Sequence, residues 1–418
     1  MNRVTNLHLD IIQTIFEHFR IPDDAETLGI CSRVCKTWLP IARSHLFSYI
    51  HLQLVPNVDD SDIVPHTIQR NEKWIEWNGC YKPRHADLSL VKTFTISSVD
   101  AHTVLTLPIL SSILASLPRL QRLRVHYARI LAPQSAADIP VILSCLYKLE
   151  LRGVSIPPND FCNLMSLLPH TRNISLICCS HGLPPSSSST LAIEPPRTLQ
   201  PLELSITGNE GYHSQWFDLF ERSGAFNNVR RFRFGFLQSL RECGQPLDAI
   251  QFIAKLTNLE GLVWDDVCGH PRNTWPHESQ LYTSMTSRIR LFQTQIAPVF
   301  AEMKTLRSFS MRPPPSTSHW DFYLRIIGSL PQSLRHLEVY LTPAILDFDL
   351  ETLRLAVAHL ANVESVRIVI TRIEEDSPAG LFDNCVHRFR AGLPELDARG
   401  GLKVVWEKYG SYFAGYRS

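Results

Sequence analysis

Side chains able to bind metals or attack substrates are plentiful here, with 17 His and ten Cys, but their spacing supports little chemistry. The cysteines stand at 31, 35, 80, 145, 162, 178, 179, 243, 268 and 385. No two form a C-x-x-C pair, so neither a zinc ribbon nor a dithiol redox motif is written in them. The densest ligand set is Cys268, His270 and His277. A structural zinc takes four such ligands, the fourth is missing, and no metal is expected. His277-Glu278 lacks the second His that an H-E-x-x-H helix presents one turn later. The phosphate-cradling loops G-x-x-x-x-G-K-[ST] and G-x-G-x-x-G are absent, as is the nucleophile turn G-x-S-x-G. Glu374, Glu375 and Asp376 read as solvated loop charge at a strand end. No enzymatic activity and no cofactor is expected of this chain.

The chemistry left is recognition. Lys+Arg 41 against Asp+Glu 40 gives a net charge of +1, too even a balance for a sequence-independent grip on nucleic acid or an acidic bilayer. Neither is expected as a partner. Locally, however, cations alternate with apolar residues: Arg122 and Arg124 around Leu123, Lys148 before Leu149, Arg231 and Arg233 around Phe232. Alternate side chains of an extended segment share a face, so these five stand opposite the apolar ones. The guanidinium fork matches carboxylate or phosphate oxygens two at a time. Arg122, Arg124, Lys148, Arg231 and Arg233 are therefore the candidate contacts for a protein partner presenting acidic or phosphorylated side chains.

The segments that carry these cations recur. The pattern L-x-x-L-x-L, with apolar substitutes, is read from Val91, Leu120, Leu146, Thr171, Leu199, Val229, Leu259, Leu306, Leu334 and Val363 as first positions. The intervals are 29, 26, 25, 28, 30, 30, 47, 28 and 29 residues, so one spacing is repeated and one insertion, 268–288, breaks it. A repeat of this length means stacked units, each one-sided and dependent on its neighbours. The last two apolar positions point inward from a strand, and helices are expected between strands at 218–222, 247–256, 290–303, 321–330 and 350–360. The fold class expected is thus α/β (α+β overall), an irregular solenoid with a curved parallel sheet and outer helices. A Pro/Ser-rich loop occupies 183–201, and the aromatic tail 407–418 caps the array.

The first 50 residues read differently. Leu7, Ile11, Ile15 and Phe19 recur every four residues, with Ile12 and Phe16 widening the stripe, which gives one apolar helical face. Leu28, Cys31, Val34, Cys35 and Trp38 make a second. Pro40 marks a boundary before a third helical piece at 41–47. Three helices in 50 residues cannot hide this much apolar surface alone, and a helical partner would complete them. Residues 51–87, with Trp74, Ile75 and Trp77, join this part to the repeats.

Two resemblances follow from these residues. Residues 88–406 resemble leucine-rich repeat proteins. The position that usually holds Asn or Cys for a backbone-bonding ladder is here Ala128, Val154, Cys179, Thr207, Leu237, Val267, Pro314, Thr342 and Thr371. Only the Cys and Thr can take that polar role, so the array is expected to be irregular. Residues 5–50 resemble an F-box, whose motif begins L-P-x-E-I-x-x-x-I-F and ends V-C-K-x-W-x-x-x-A: here the chain runs Leu7-His8-Leu9-Asp10-Ile11 to Ile15-Phe16, then Val34-Cys35-Lys36-Thr37-Trp38. The run from Trp38 to Phe47 further resembles F-box proteins of mushroom-forming fungi. The resemblance implies docking onto a Skp-type adaptor and through it a cullin scaffold, as the substrate receptor of an SCF-type (Skp-cullin-F-box) ubiquitin ligase. By position it assigns Leu7, Ile11, Ile15, Phe16, Leu28, Val34, Cys35 and Trp38 to the adaptor interface. The alternative is a non-ligase F-box protein or a repeat-mediated interaction scaffold.

The N-terminus lacks a cationic segment with a long apolar core, and the apolar runs fall short of the roughly 20 residues that span a bilayer. A reducing compartment, cytoplasm and/or nucleus, is expected.

Overall fold

The computed structural model describes residues 9–19, 25–46, 48–54, 88–98, 103–131, 145–180, 199–208, 213–236, 246–265, 295–312, 320–341, 350–372 and 381–408. The chain divides into two compact units, Met1–Leu199 and Gln200–Ser418. The insertion 268–288, most of the loop 183–201, residues 55–87 and the tail from 409 lie outside the described residues.

The first unit opens with three short helices, α1 (Leu9–Glu17), α2 (Ala25–Cys31) and α3 (Trp38–Leu46). Ile12, Phe16, Leu28 and Ala42 close a small core, with Phe19, Cys31, Trp38, Ile41 and Leu46 packed around it. The second apolar set is not one helix. Hydrogen-bonded turns at Arg33 and Val34 end α2 three residues beyond Cys31, and α3 begins at Trp38, two residues ahead of Pro40. A proline is tolerated there because first-turn N–H groups have no intrahelical acceptor anyway.

Five parallel strands follow: β1 (Tyr49–Leu54), β2 (Thr93–Ser98), β4 (Arg122–His126), β6 (Lys148–Arg152) and β7 (Asn173–Ile177). They pair in that order, in unbroken register. Leu123, Leu149 and Ile174 form one buried row, and Ile96, Val125, Leu151 and Leu176 the next. The sheet therefore begins at Tyr49, inside the stretch read as helical domain and connector. A lone strand of alternating apolar residues carries no second repeat beside it to reveal it. Helices Leu107–Ala115 and Pro158–Leu167 cover the apolar side, and β3 (Val104–Thr106) pairs with β5 (Arg129–Leu131) in a small second ladder.

Each of three consecutive strands ends in one turn. Tyr127, Gly153 and Cys178 have φ of 54°, 59° and 53°. The turn sends Tyr127 N–H to Arg152 O (2.8 Å) and Gly153 N–H to Ile177 O (2.7 Å). Inside the turn stand Ala128, Val154 and Cys179, all buried. Cys179 donates its thiol to Leu151 O at 3.2 Å, the ladder role expected of it.

The second unit repeats the theme with β8 (Glu203–Gly208), β9 (Arg231–Phe236), β10 (Gly261–Asp265), β11 (Ser308–Arg312), β12 (His336–Leu341), β13 (Ser365–Arg372) and β14 (Leu402–Lys408), all parallel. Helices His213–Arg222, Pro246–Lys255, Ala297–Glu302, Trp320–Gly328 and Leu350–Ala358 fall at the expected places. Aromatic rings fill the apolar side: Phe217 stacks on Phe252 with centroids 4.7 Å apart, and Trp264 stands edge-on to Phe234 at 4.7 Å.

Two readings are corrected here. The fifth repeat is out of register by two residues: Leu204 and Ile206, not Leu202 and Leu204, align with Phe232 and Phe234. Leu202 is followed by a third alternate apolar residue, so the sequence alone fits both registers. Trp406 also belongs to β14, an eleventh repeat strand beyond the ten read from sequence and paired to β13; its unit lacks a leucine at the first position.

Candidate functional site

The helical part has an inside and an outside. Phe16 is 1% exposed and meets Trp38 edge-on at 5.8 Å and Phe19 at 5.7 Å. Leu28 is fully buried, so Phe16 and Leu28 serve the bundle's own core. Cys35 and Trp38 are partly exposed. Ile11, Ile15 and Val34 stand outside, at 50%, 48% and 50% exposure, joined by Ile30 at 60%. Among the described residues only two other large apolar side chains, Tyr127 and Leu355, are exposed. Exposed apolar residues are thus concentrated in the first 34 positions, where single scattered ones would need no explanation. Leu7 lies outside the described residues. Ile30 escaped the sequence reading because it sits off the three-and-four spacing counted from Leu28.

The polar face of the first unit's sheet is built by register. Arg122 and Lys148 are Cα partners, as are Arg124 and Glu150, then His126 and Arg152. Arg122 donates from Nε to Tyr147 Oη at 2.8 Å and lies 5.8 Å from that ring's centroid. Arg124 Nε stands 3.5 Å from Glu150 Oε2, and His126 Nε2 is 3.6 Å from Glu150 Oε1. Burial alone would raise the Glu150 carboxyl, yet it is held below its ordinary value because His126, Arg124 and Lys148 surround it. Burial, and then the nearby His126, push His51 below its usual range; its Nε2 is 2.6 Å from Ser97 Oγ. Glu150 is the only carboxylate on this face among the described residues. His126, buried to 4% exposure, was missed in the sequence because it lies at the strand end, past the inward pair.

In the second unit the expected cations are already matched. The register shift puts Glu203 opposite Arg231 rather than Arg233, and Arg231 donates to Glu203 Oε1 at 2.8 Å. Arg233 binds Asp265 Oδ2 at 2.5 Å, and that aspartate is 1% exposed. Arg230 pairs with Glu260 (3.0 Å) and Arg335 with Glu364 (2.6 Å). Arg367 bridges Glu338 (2.9 Å) and Glu407 (3.1 Å). Arg312 donates to Tyr340 Oη at 2.8 Å, with its guanidinium carbon 4.0 Å from the ring centroid; burial pushes the Tyr340 hydroxyl up to about 12. Gly235 lets this network close: a Cβ there would stand 2.8 Å from Asp265 O and 3.0 Å from Thr207 Cγ2.

The five sequence-selected cations therefore fall into two sets with different surroundings. Arg122, Arg124 and Lys148 share a face with one carboxylate, whereas Arg231 and Arg233 are engaged by the chain itself. Cys268, His270 and His277 lie outside the described residues. Among the described residues no group of three His, Cys, Asp or Glu could hold a metal, and no helix is long and apolar enough to cross a membrane. No family model matches the sequence, and no curated protein matches it.

Proposed function

We propose that this chain is the substrate-recognition subunit of an SCF-type ubiquitin ligase, acting in the cytoplasm or nucleus. Helices α1 to α3 dock a Skp-type adaptor, which carries the cullin, and the open strand faces hold a protein substrate. One observation carries the reading. The segment bearing the V-C-K-x-W run closes its own core on Phe16 and Leu28 and still leaves Ile11, Ile15, Ile30 and Val34 exposed by 48–60%. Burying the remaining half of four such side chains stabilises a complex by about 3–5 kcal/mol before association costs. The polar strand faces have the outward-facing side chains that a recognition surface needs, and ubiquitin transfer is left to other subunits.

Co-expression of the full chain with a Skp-type adaptor and a cullin tests this. The wild type is expected to retain both proteins, and Ile11→Asp/Ile15→Asp to lose both with an unchanged circular dichroism spectrum. Retention of the adaptor without cullin would point to a scaffold outside any ligase, and retention of neither would end the reading.

A further inference from the structure

The polar faces of the two units differ in charge balance. In the second unit Arg230, Arg231, Arg233, Arg335 and Arg367 each meet a carboxylate at 2.5–3.0 Å. In the first, Arg124 and His126 share Glu150, which Lys148 also faces, Arg122 meets the Tyr147 hydroxyl instead, and no second carboxylate stands on this face among the described residues. Buried polar atoms also gather here. Arg124 Nε and His126 Nε2 are inaccessible to solvent and face Glu150 only at 3.5 and 3.6 Å, and Thr95 Oγ1, equally inaccessible, makes no hydrogen bond among the described residues. Thr95 is the Cα partner of Arg124, so all three line one spot.

Geometry restricts the ligand. Arg122, Arg124 and His126 alternate along one strand, so their side chains repeat at about 6.7 Å. Alternate side chains of an extended peptide have the same repeat. We propose that the polar face of β1, β2, β4, β6 and β7 is a docking surface for an extended acidic peptide segment of a protein, its alternate carboxylates meeting the Arg122–Lys148 row and the exposed part of Arg124. This names the substrate class of the receptor proposed above and rests on that reading only in calling the peptide a substrate.

The test is fluorescence anisotropy on the full chain with a labelled peptide, Gly-Ser-Glu-Ser-Glu-Ser-Glu-Ser-Gly. Comparison probes replace Glu by Gln, replace Ser by phosphoserine in the Gln peptide, or are a single-stranded oligonucleotide of equal charge. The Glu peptide is expected to bind, to weaken as NaCl rises from 50 to 500 mM, as screening demands, and to weaken about tenfold or more in Arg122→Ser/Lys148→Ser. Arg231→Ser in the second unit should leave binding unchanged. Equal binding of the Gln peptide, tighter binding of the phosphopeptide or oligonucleotide, or loss in Arg231→Ser equal to that in the double variant would overturn the proposal. So would no binding by the wild type. Adaptor capture is scored separately: its loss with peptide binding intact sinks the receptor reading alone, and the converse sinks this surface alone.

Discussion

Gly153 gives the sharpest prediction from the repeat geometry. At φ +59° an L side chain is strained, by about 1–2 kcal/mol. An added Cβ would also stand 2.7 Å from Tyr127 Cδ1 and 2.9 Å from Cε1. The Tyr127 ring is exposed enough to swing into solvent, so this second cost is a lost contact of about 0.5–1 kcal/mol rather than a core collapse. From the strain is subtracted about 0.4–1 kcal/mol for the stiffer unfolded chain. Gly153→Ala should thus destabilise the first unit by about 1–2 kcal/mol, which for a unit of this size lowers Tm by about 2–8 °C. Cys178 occupies the same turn one repeat later with φ 53° and an exposed side chain, so Cys178→Gly should raise stability by about 0.5–1 kcal/mol. Thermal melts by circular dichroism, with urea midpoints alongside, measure both, and a Tyr127→Ala/Gly153→Ala cycle isolates the ring contact. An unchanged Tm in Gly153→Ala, or a loss in Cys178→Gly, would refute the claim that one left-handed residue sets the turn.

Other consequences follow from the same contacts. Phe16→Ala removes the centre of the helical core and should cost about 3–5 kcal/mol, seen as fast hydrogen exchange across α1 to α3 while the β9 to β13 amides stay protected. Gly235→Ala must displace Asp265 from Arg233 and should lower the second unit's urea midpoint, whereas Arg231→Ala, which breaks only an exposed pair, should shift stability by less than about 1 kcal/mol. The Glu150 carboxyl is depressed from 4.5, so its contribution is complete above that value and is lost as pH falls through the folded one. His51 is depressed from 6.5, so the unfolded chain takes up the proton first and stability again falls on acidification below 6.5. Melts at pH 7.5, 6 and 5 should show a falling Tm that is reduced in His51→Gln, and a further fall below 4.5 reports Glu150; a Tm that rises between pH 7.5 and 5 contradicts the His51 shift, and one that rises below 4.5 contradicts that of Glu150.

How much was legible beforehand depended on redundancy. Ten strands were located because each repeat restates the same inward pair, and helices on the apolar side followed from the gaps. Where redundancy failed, so did the reading. β1 has no leading leucine, β14 follows Arg399 where a repeat would have its first leucine, and the alternation at Leu202, Leu204 and Ile206 fits two registers. That last ambiguity had a functional cost, because only the true register puts Glu203 beside Arg231 and removes a candidate contact. The cations were visible in the sequence as types and positions; their neutralisation was not, since Asp265 and Glu203 lie 32 and 28 residues away from the arginines they meet. In the helices, periodicity identified the apolar residues but not which of them face in: Phe16 and Ile15 are adjacent, and only the packing separates core from surface.

That separation makes the central claim directly measurable. Titration calorimetry of a purified Skp-type adaptor into the full chain should show saturable one-to-one binding. Ile15→Asp/Val34→Asp should weaken it at least about 100-fold, since each carboxylate would have to be stripped of water in the interface, while melting with wild-type Tm. Binding by the variant at wild-type affinity, or no heat from the wild type, would contradict the assignment of α1 to α3 as an adaptor-docking face.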